Sequence, residues 1–128
     1  MNENATQISS VLSSRTSEQP LLRVEFVSKR YSTASGAVDA LNEVSLDVRS
    51  GDFVALTGLS GSGKTTLLNI FGLLDIPSSG SYMVGGTVTN TLSQSQRAQI
   101  RKENFGFVFQ HFNLLDRYTV LQNIELAM

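Results

Sequence analysis

Apolar and polar residues follow two rhythms along this chain. From Leu22 through Val27 they alternate one by one, the pattern of a half-buried strand, and Lys29 to Ser32 carries that strand into a loop ending near Gly36. The alternation returns from Ala40 to Val48 and closes at Ser50-Gly51. Together these predict two antiparallel, edge-type strands. A second rhythm is continuous. Asp52 to Thr57 and Phe105 to Phe109 are short apolar runs that predict buried strands, and Thr66 to Leu74, apolar on nearly every side, predicts a buried helix. Pro77 to Gly80 reads as a turn, and Ser81 to Val84 as a short strand ended by Gly85-Gly86. Ser93 with Gln96, and Thr119 with Gln122, are capping boxes. They predict one polar helix to about Glu103 and another beginning at Val120. Met1 to Pro20 is rich in Ser, Thr, Asn and Gln and predicts a disordered leader over 1–20, with a single folded unit over 21–128.

One stretch between these elements carries chemistry. Gly58-Leu59-Ser60-Gly61-Ser62-Gly63-Lys64-Thr65-Thr66 fits the pattern G-x-x-x-x-G-K-[ST]. A polyphosphate needs several donors converging on it, and successive backbone N–H groups in a tight loop form such a nest. Glycine permits the positive φ angles and the close approach that the nest requires. Lys64 is placed to reach the β- and γ-phosphates, and the Thr65 hydroxyl to ligate Mg²⁺. A helix starting near Gly63 would turn its positive dipole end to the same anion. The apolar run before the loop and the helix after it give the strand–loop–helix setting that the motif needs. A dinucleotide fingerprint fits less well, because Thr66 stands where G-x-G-x-x-G requires its third glycine.

Composition narrows the picture further. Across 128 residues the net charge is −1, the apolar fraction 41% and the sequence pI about 5.7. That balance argues against nucleic acid as a partner and against a basic membrane-surface footprint. The chain has no cysteine and a single histidine, His111, which excludes a disulfide framework and a multi-histidine metal site. No run reaches the 18 or more apolar residues of a membrane span, and the first residues lack the apolar core of a signal peptide. The expected compartment is the cytoplasm.

The GLSGSGKTTLLN loop, LLDIPSSG after it, and ENFGFVFQHFNLL with TVLQNIEL behind it resemble the first half of an ATP-binding-cassette (ABC) transporter ATPase, over roughly Leu22 to Met128. Within that family the stretch from ENFGFVFQ onward is most like the macrolide-exporter and lipoprotein-releasing subgroup. The resemblance implies an α/β fold: a P-loop NTPase core with an antiparallel β edge, here lacking the LSGGQ signature and the Walker B strand. It implies ATP and Mg²⁺ as cofactors, with Ser60, Gly61, Ser62, Gly63, Lys64, Thr65 and Thr66, together with Gly58, around the phosphates. Tyr31 matches the aromatic that stacks on adenine, and such stacking is worth about 1–3 kcal/mol. Gln110 matches the Q-loop glutamine, whose amide oxygen serves both Mg²⁺ and the attacking water. Thr65 and Gln110 are thus the implied metal ligands and Gln110 the implied catalytic residue. Phe112 to Tyr118 would meet a membrane subunit or domain, and a second ATPase domain would complete a dimer at the inner membrane. His111 is not the family's switch histidine and is expected at the surface.

The departures from the family are equally specific. No apolar strand ends in Asp-Glu; Asp47, Asp75 and Asp116 follow short apolar runs but do not sit on such a strand. The expectation is therefore an incomplete domain, from a gene fragment, a split or an engineered piece, which by itself would not turn over ATP. Three other readings stay open on residues alone: a nucleotide-binding protein without turnover, a different P-loop enzyme such as a small-molecule kinase or GTPase, and an ABC protein of DNA repair. No N-K-x-D guanine motif and no Arg-rich lid are present, and Lys64 and Gln110 lie too close in sequence for the insertion typical of the repair proteins.

Overall fold

The computed structural model describes residues 19–34, 36–110 and 113–126. The leader expected over 1–20 falls almost wholly outside these residues, as do His111, Phe112 and the end of the last predicted helix. Four strands form one antiparallel sheet in the order β2-β1-β3-β4: β1 (Leu22–Thr33), β2 (Gly36–Val48), β3 (Ser79–Val84) and β4 (Thr87–Val88). Three helices accompany it: α1 (Lys64–Phe71), α2 (Gln94–Asn104) and α3 (Val120–Glu125). β1 is not the edge strand expected of it. It pairs with β2 on one side and β3 on the other, and it runs on to Thr33, so that the link to β2 shrinks to a tight hairpin.

The sheet breaks the simple alternation at one place, and that break arranges much of the rest. Register shifts fall between Val24 and Val27 and again up to Arg30, with Phe26 and Glu43 in the left-handed region at φ 50 and 48. Side chains hold this double bulge: Ser45 Oγ accepts the Phe26 N–H and Ser28 Oγ accepts the Glu43 N–H, both at 2.9 Å. A bulge re-aims every side chain beyond it. Phe26, inward by simple alternation, is 69% exposed, whereas Val27 is fully buried and Lys29 is buried two residues later.

α1 lays Leu67, Ile70 and Phe71 on the sheet, against Val24, Val27, Leu41, Tyr82 and Val84. Burying each of those three side chains contributes about 1.5–3 kcal/mol. The helix shows one buried face rather than burial all round, since Leu68 and Leu74 are exposed. Its C-terminal carbonyls are taken up by three elements. The Tyr82 hydroxyl donates to Phe71 O at 2.6 Å, the Arg101 guanidinium of α2 donates to Leu73 O at 2.7 Å, and the Leu74 and Asp75 N–H groups close on Asn69 O. Leu73 ends the helix in the left-handed region, φ 56, where glycine would be usual; the core buries its side chain. The turn predicted at Pro77–Gly80 accordingly falls earlier, at 72–75, and Ser79 and Gly80 already belong to β3. Both capping boxes form as the sequence indicates.

The two continuous apolar runs do not become strands. Asp52–Thr57 pairs with nothing among the described residues, and Phe53 is 96% exposed. Phe105–Phe109 is likewise extended and unpaired, with Val108 fully exposed. A strand exists through its hydrogen-bonded neighbours, and a buried parallel strand needs cover on both faces as well. Neither requirement is met here. The second run keeps its alternation nonetheless: Phe105, Phe107 and Phe109 stack in series, with centroids 6.3 and 5.7 Å apart.

Candidate functional site

The loop Gly58–Gly63 leads into the first turn of α1, and its glycines do what the motif requires of them. Gly61 and Gly63 take left-handed φ values of 79 and 89, and Gly63 is itself the N-cap. At Gly63 the need is doubled, because an added Cβ would lie 2.4 Å from Ala40 O and 2.9 Å from Leu41 Cδ2. Only a residue without a side chain lets the loop come this close to β2. No side chain caps α1 at its N-terminus and no acidic residue occupies its first turn. The N–H groups of that turn are thus left for an anion.

Lys64 is folded over this loop. Its ammonium donates to Gly58 O at 2.8 Å, Leu59 O at 2.7 Å and Ser62 Oγ at 3.3 Å. The motif's positive charge is therefore held against the loop's own carbonyls. Thr65 is exposed, and Ser62 and Thr66 are half-buried beside it. This donor set, backbone N–H groups, one ammonium and hydroxyls, is the chemistry that seats a polyphosphate, and the Thr65 hydroxyl is of the hard-oxygen kind that Mg²⁺ prefers.

The bulge in β1 brings Tyr31 to the same end of the sheet. Its hydroxyl donates to Asp75 Oδ2 at 2.7 Å, with the Thr66 side chain from the first turn of α1 nearby. Burial and the Asp75 carboxylate push the Tyr31 hydroxyl pKa up, and the nearby Thr66 side chain opposes them. Asp75 comes from the turn that ends α1. Its other oxygen accepts from Lys29 Nζ at 2.6 Å, and Lys29 also donates to Ile76 O at 2.7 Å. Burial acts to raise the Asp75 pKa, but the bonds from Lys29, Tyr31 and the Ile76 N–H outweigh it and hold the carboxyl below its ordinary range. Lys29 Nζ lies over the Tyr31 ring, 4.9 Å from its centroid.

Lys64 and Thr66 thus share the first turn of α1, while Tyr31 is bonded to Asp75 from the turn after that helix. Gln110 does not join them through any hydrogen bond among the described residues; it is exposed, at the end of the unpaired run after Phe109. Sequence reasoning missed Lys29 and Asp75. The only sign of Asp75 was its place in LLDIPSSG, and nothing local marks Lys29 as inward-facing, because the bulge that turns it is set by Ser28 and Ser45 across the ribbon. No helix among the described residues is long and apolar enough to cross a membrane.

Residues 41–128 match the family model described as ABC transporter. The chain is 46% identical over 108 residues to the macrolide export ATP-binding/permease protein MacB of Burkholderia lata, covering 84% of this chain and 16% of that protein. It is 44% identical over 113 residues to the lipoprotein-releasing system ATP-binding protein LolD of Bordetella avium, covering 88% of this chain and 49% of that one. Among solved structures, it resembles a dimeric bacterial ABC transporter cassette with a TM-score of 0.76 and 40% identity, over 83% of this chain and 46% of that one. The same similarity holds to a post-hydrolysis state of that cassette bound to ADP and Pi. The chain therefore spans half or less of the length of the relatives it matches.

Proposed function

Because the chain belongs to the ABC transporter family, we propose that it is the nucleotide-binding part of an ATPase that powers an ABC-type membrane transporter, one that exports macrolide-like compounds or releases lipoproteins. The observation that carries this reading is Lys64, whose ammonium folds over a glycine loop that runs into a helix start with no side-chain cap. Ser60 to Thr66 bind the phosphates of ATP. Lys64 exchanges its carbonyl partners for phosphate oxygens, and the dipole of α1 supports the negative charge. Tyr31 presents its ring to the adenine. Thr65 and Gln110 are the residues that would hold Mg²⁺, which would supply positive charge to offset the charge developing on the phosphates. Gln110, a neutral amide at the end of an extended segment, orients the attacking water rather than deprotonating it.

The partners follow from the same reading. The segment Phe112 to Tyr118 docks on a membrane subunit or domain, which puts the protein at the cytoplasmic face of the inner membrane. A second ATPase domain closes the nucleotide between the two. Calorimetry with Mg-ATP tests the core of the proposal. Lys64→Ala is expected to weaken binding by about 1.5–3 kcal/mol, the worth of one hydrogen bond to a charged group, while adenosine binding stays unchanged. Equal Mg-ATP affinity in the two proteins would overturn the phosphate-loop reading.

A further inference from the structure

Three residues outside the phosphate loop form a closed set around one aromatic ring. Lys29 arrives through the bulge in β1, Asp75 through the left-handed turn after α1, and both converge on Tyr31. Each contact restrains the ring differently. Asp75 Oδ2 fixes the hydroxyl end at 2.7 Å. The Lys29 ammonium covers one face from 4.9 Å. Lys29 in turn cannot wander, since it is 9% exposed and bonded to Asp75 Oδ1 and Ile76 O. The remaining freedom of a tyrosine ring on a strand, swing about its first torsion and flipping about its second, is what these contacts remove. Tyr31 as a residue stays 36% exposed. With the cation on one face, a flat base has the other.

We propose that Lys29 and Asp75 form a positioning clamp for an adenine platform made by Tyr31, so that affinity for the base depends on two residues that do not touch the nucleotide. The proposal rests on the reading of Tyr31 given above. A free ring must be ordered when a base stacks on it, which takes affinity away, whereas a clamped ring is already in place. An ion pair this close to the ring serves position better than stability, since desolvating two charges offsets much of their attraction.

The test measures calorimetric affinities of the full 128-residue chain for Mg-ATP and for inorganic tripolyphosphate, which carries the charge without the base. Asp75→Ala is expected to weaken ATP about fivefold, the typical worth of one hydrogen bond, and to leave tripolyphosphate unchanged. In a Tyr31→Ala background the same substitution is expected to have no further effect on ATP. Lys29→Met, which keeps the stem and loses the cation, is expected to repeat the selective loss and serves should Asp75→Ala fold poorly. Equal losses for ATP and tripolyphosphate, or an undiminished Asp75 effect on ATP in the Tyr31→Ala background, would assign the pair a merely structural role and overturn the clamp. A wild-type preference for ATP over tripolyphosphate that survives both Asp75→Ala and Lys29→Met overturns the clamp alone. Wild-type protein with no such preference overturns the Tyr31 platform and the clamp with it.

Discussion

Gly63→Ala is the substitution on which the geometry speaks most sharply. Two separate penalties meet at this position. The backbone sits at φ 89, and holding an L-residue in left-handed space costs roughly 1–2 kcal/mol. The new methyl would lie 2.4 Å from Ala40 O and 2.9 Å from Leu41 Cδ2. The first is a backbone atom of β2 that cannot rotate away, and forced overpacking of this kind costs roughly 1–3 kcal/mol. Alanine returns about 0.4–1 kcal/mol by stiffening the unfolded chain. The net expectation is a destabilisation of about 1–4.5 kcal/mol, from the sum of these terms. Gly61→Ala is the matched control. Its φ of 79 carries the same strain, but an added Cβ meets nothing within 4 Å, so about 0–1.5 kcal/mol is expected. Urea unfolding followed by circular dichroism measures both, and the midpoints compare directly while the slopes agree. Coincident midpoints for the two variants would show that the loop does not press on β2 as described, and the account of why residue 63 must be glycine would fall.

Tyr31→Ala is expected to weaken Mg-ATP binding by about 1–3 kcal/mol while Tyr31→Trp keeps most of it; unchanged affinity with a lowered melting temperature would reduce Tyr31 to a strand residue. Tyr82→Phe strands the buried Phe71 carbonyl that the hydroxyl now satisfies at 2.6 Å, for an expected loss of about 1–3 kcal/mol in unfolding free energy. Asp75 has a folded-state pKa held below its unfolded value, so its stabilisation is complete above the unfolded pKa near about 4 and is lost as pH falls through the lower folded value. Acid unfolding curves of wild type and Asp75→Asn are therefore expected to differ most above that window and to converge below it; parallel curves would refute the assignment.

The parts of this molecule that could be read from sequence are those whose cause is local. The phosphate loop was legible because its function lies in covalent spacing: glycines at fixed offsets, a lysine, then a helix. Both capping boxes were legible for the same reason, each being an exchange of two bonds between residues three apart. What failed depended on partners elsewhere. Phe26 and Val27 exchange roles because Ser28 and Ser45 hold a bulge across two strands, and no alternation count contains that information. Asp52–Thr57 and Phe105–Phe109 have the composition of buried strands, yet composition does not supply the neighbour that makes a strand. Asp75 was visible as an acid after an apolar run; that it turns back to meet Lys29 and Tyr31 follows from Leu73 occupying a glycine's conformation, which the core enforces rather than the local sequence.

Gly72 is a glycine of a different kind from those in the loop. Its φ of −75 is one that any residue adopts, so its freedom is idle and its lack of volume is what matters. A methyl there would lie 2.5 Å from Cε1 of Phe107 and 2.9 Å from its Cζ. Those atoms are the outer edge of a half-open ring, not backbone, and they can give way. Residue 72 is therefore an adjusting screw. Widening it by one carbon would push Phe107 outward, and the stacked Phe109 with it, shifting the strip of chain that ends in Gln110 relative to the far end of the helix that begins at Lys64. An eight-residue helix is a stiff rod of about 12 Å. A graded series at this one position, Ala then Ser then Val, would set the offset between the two strips in small steps while leaving the chemistry of both untouched.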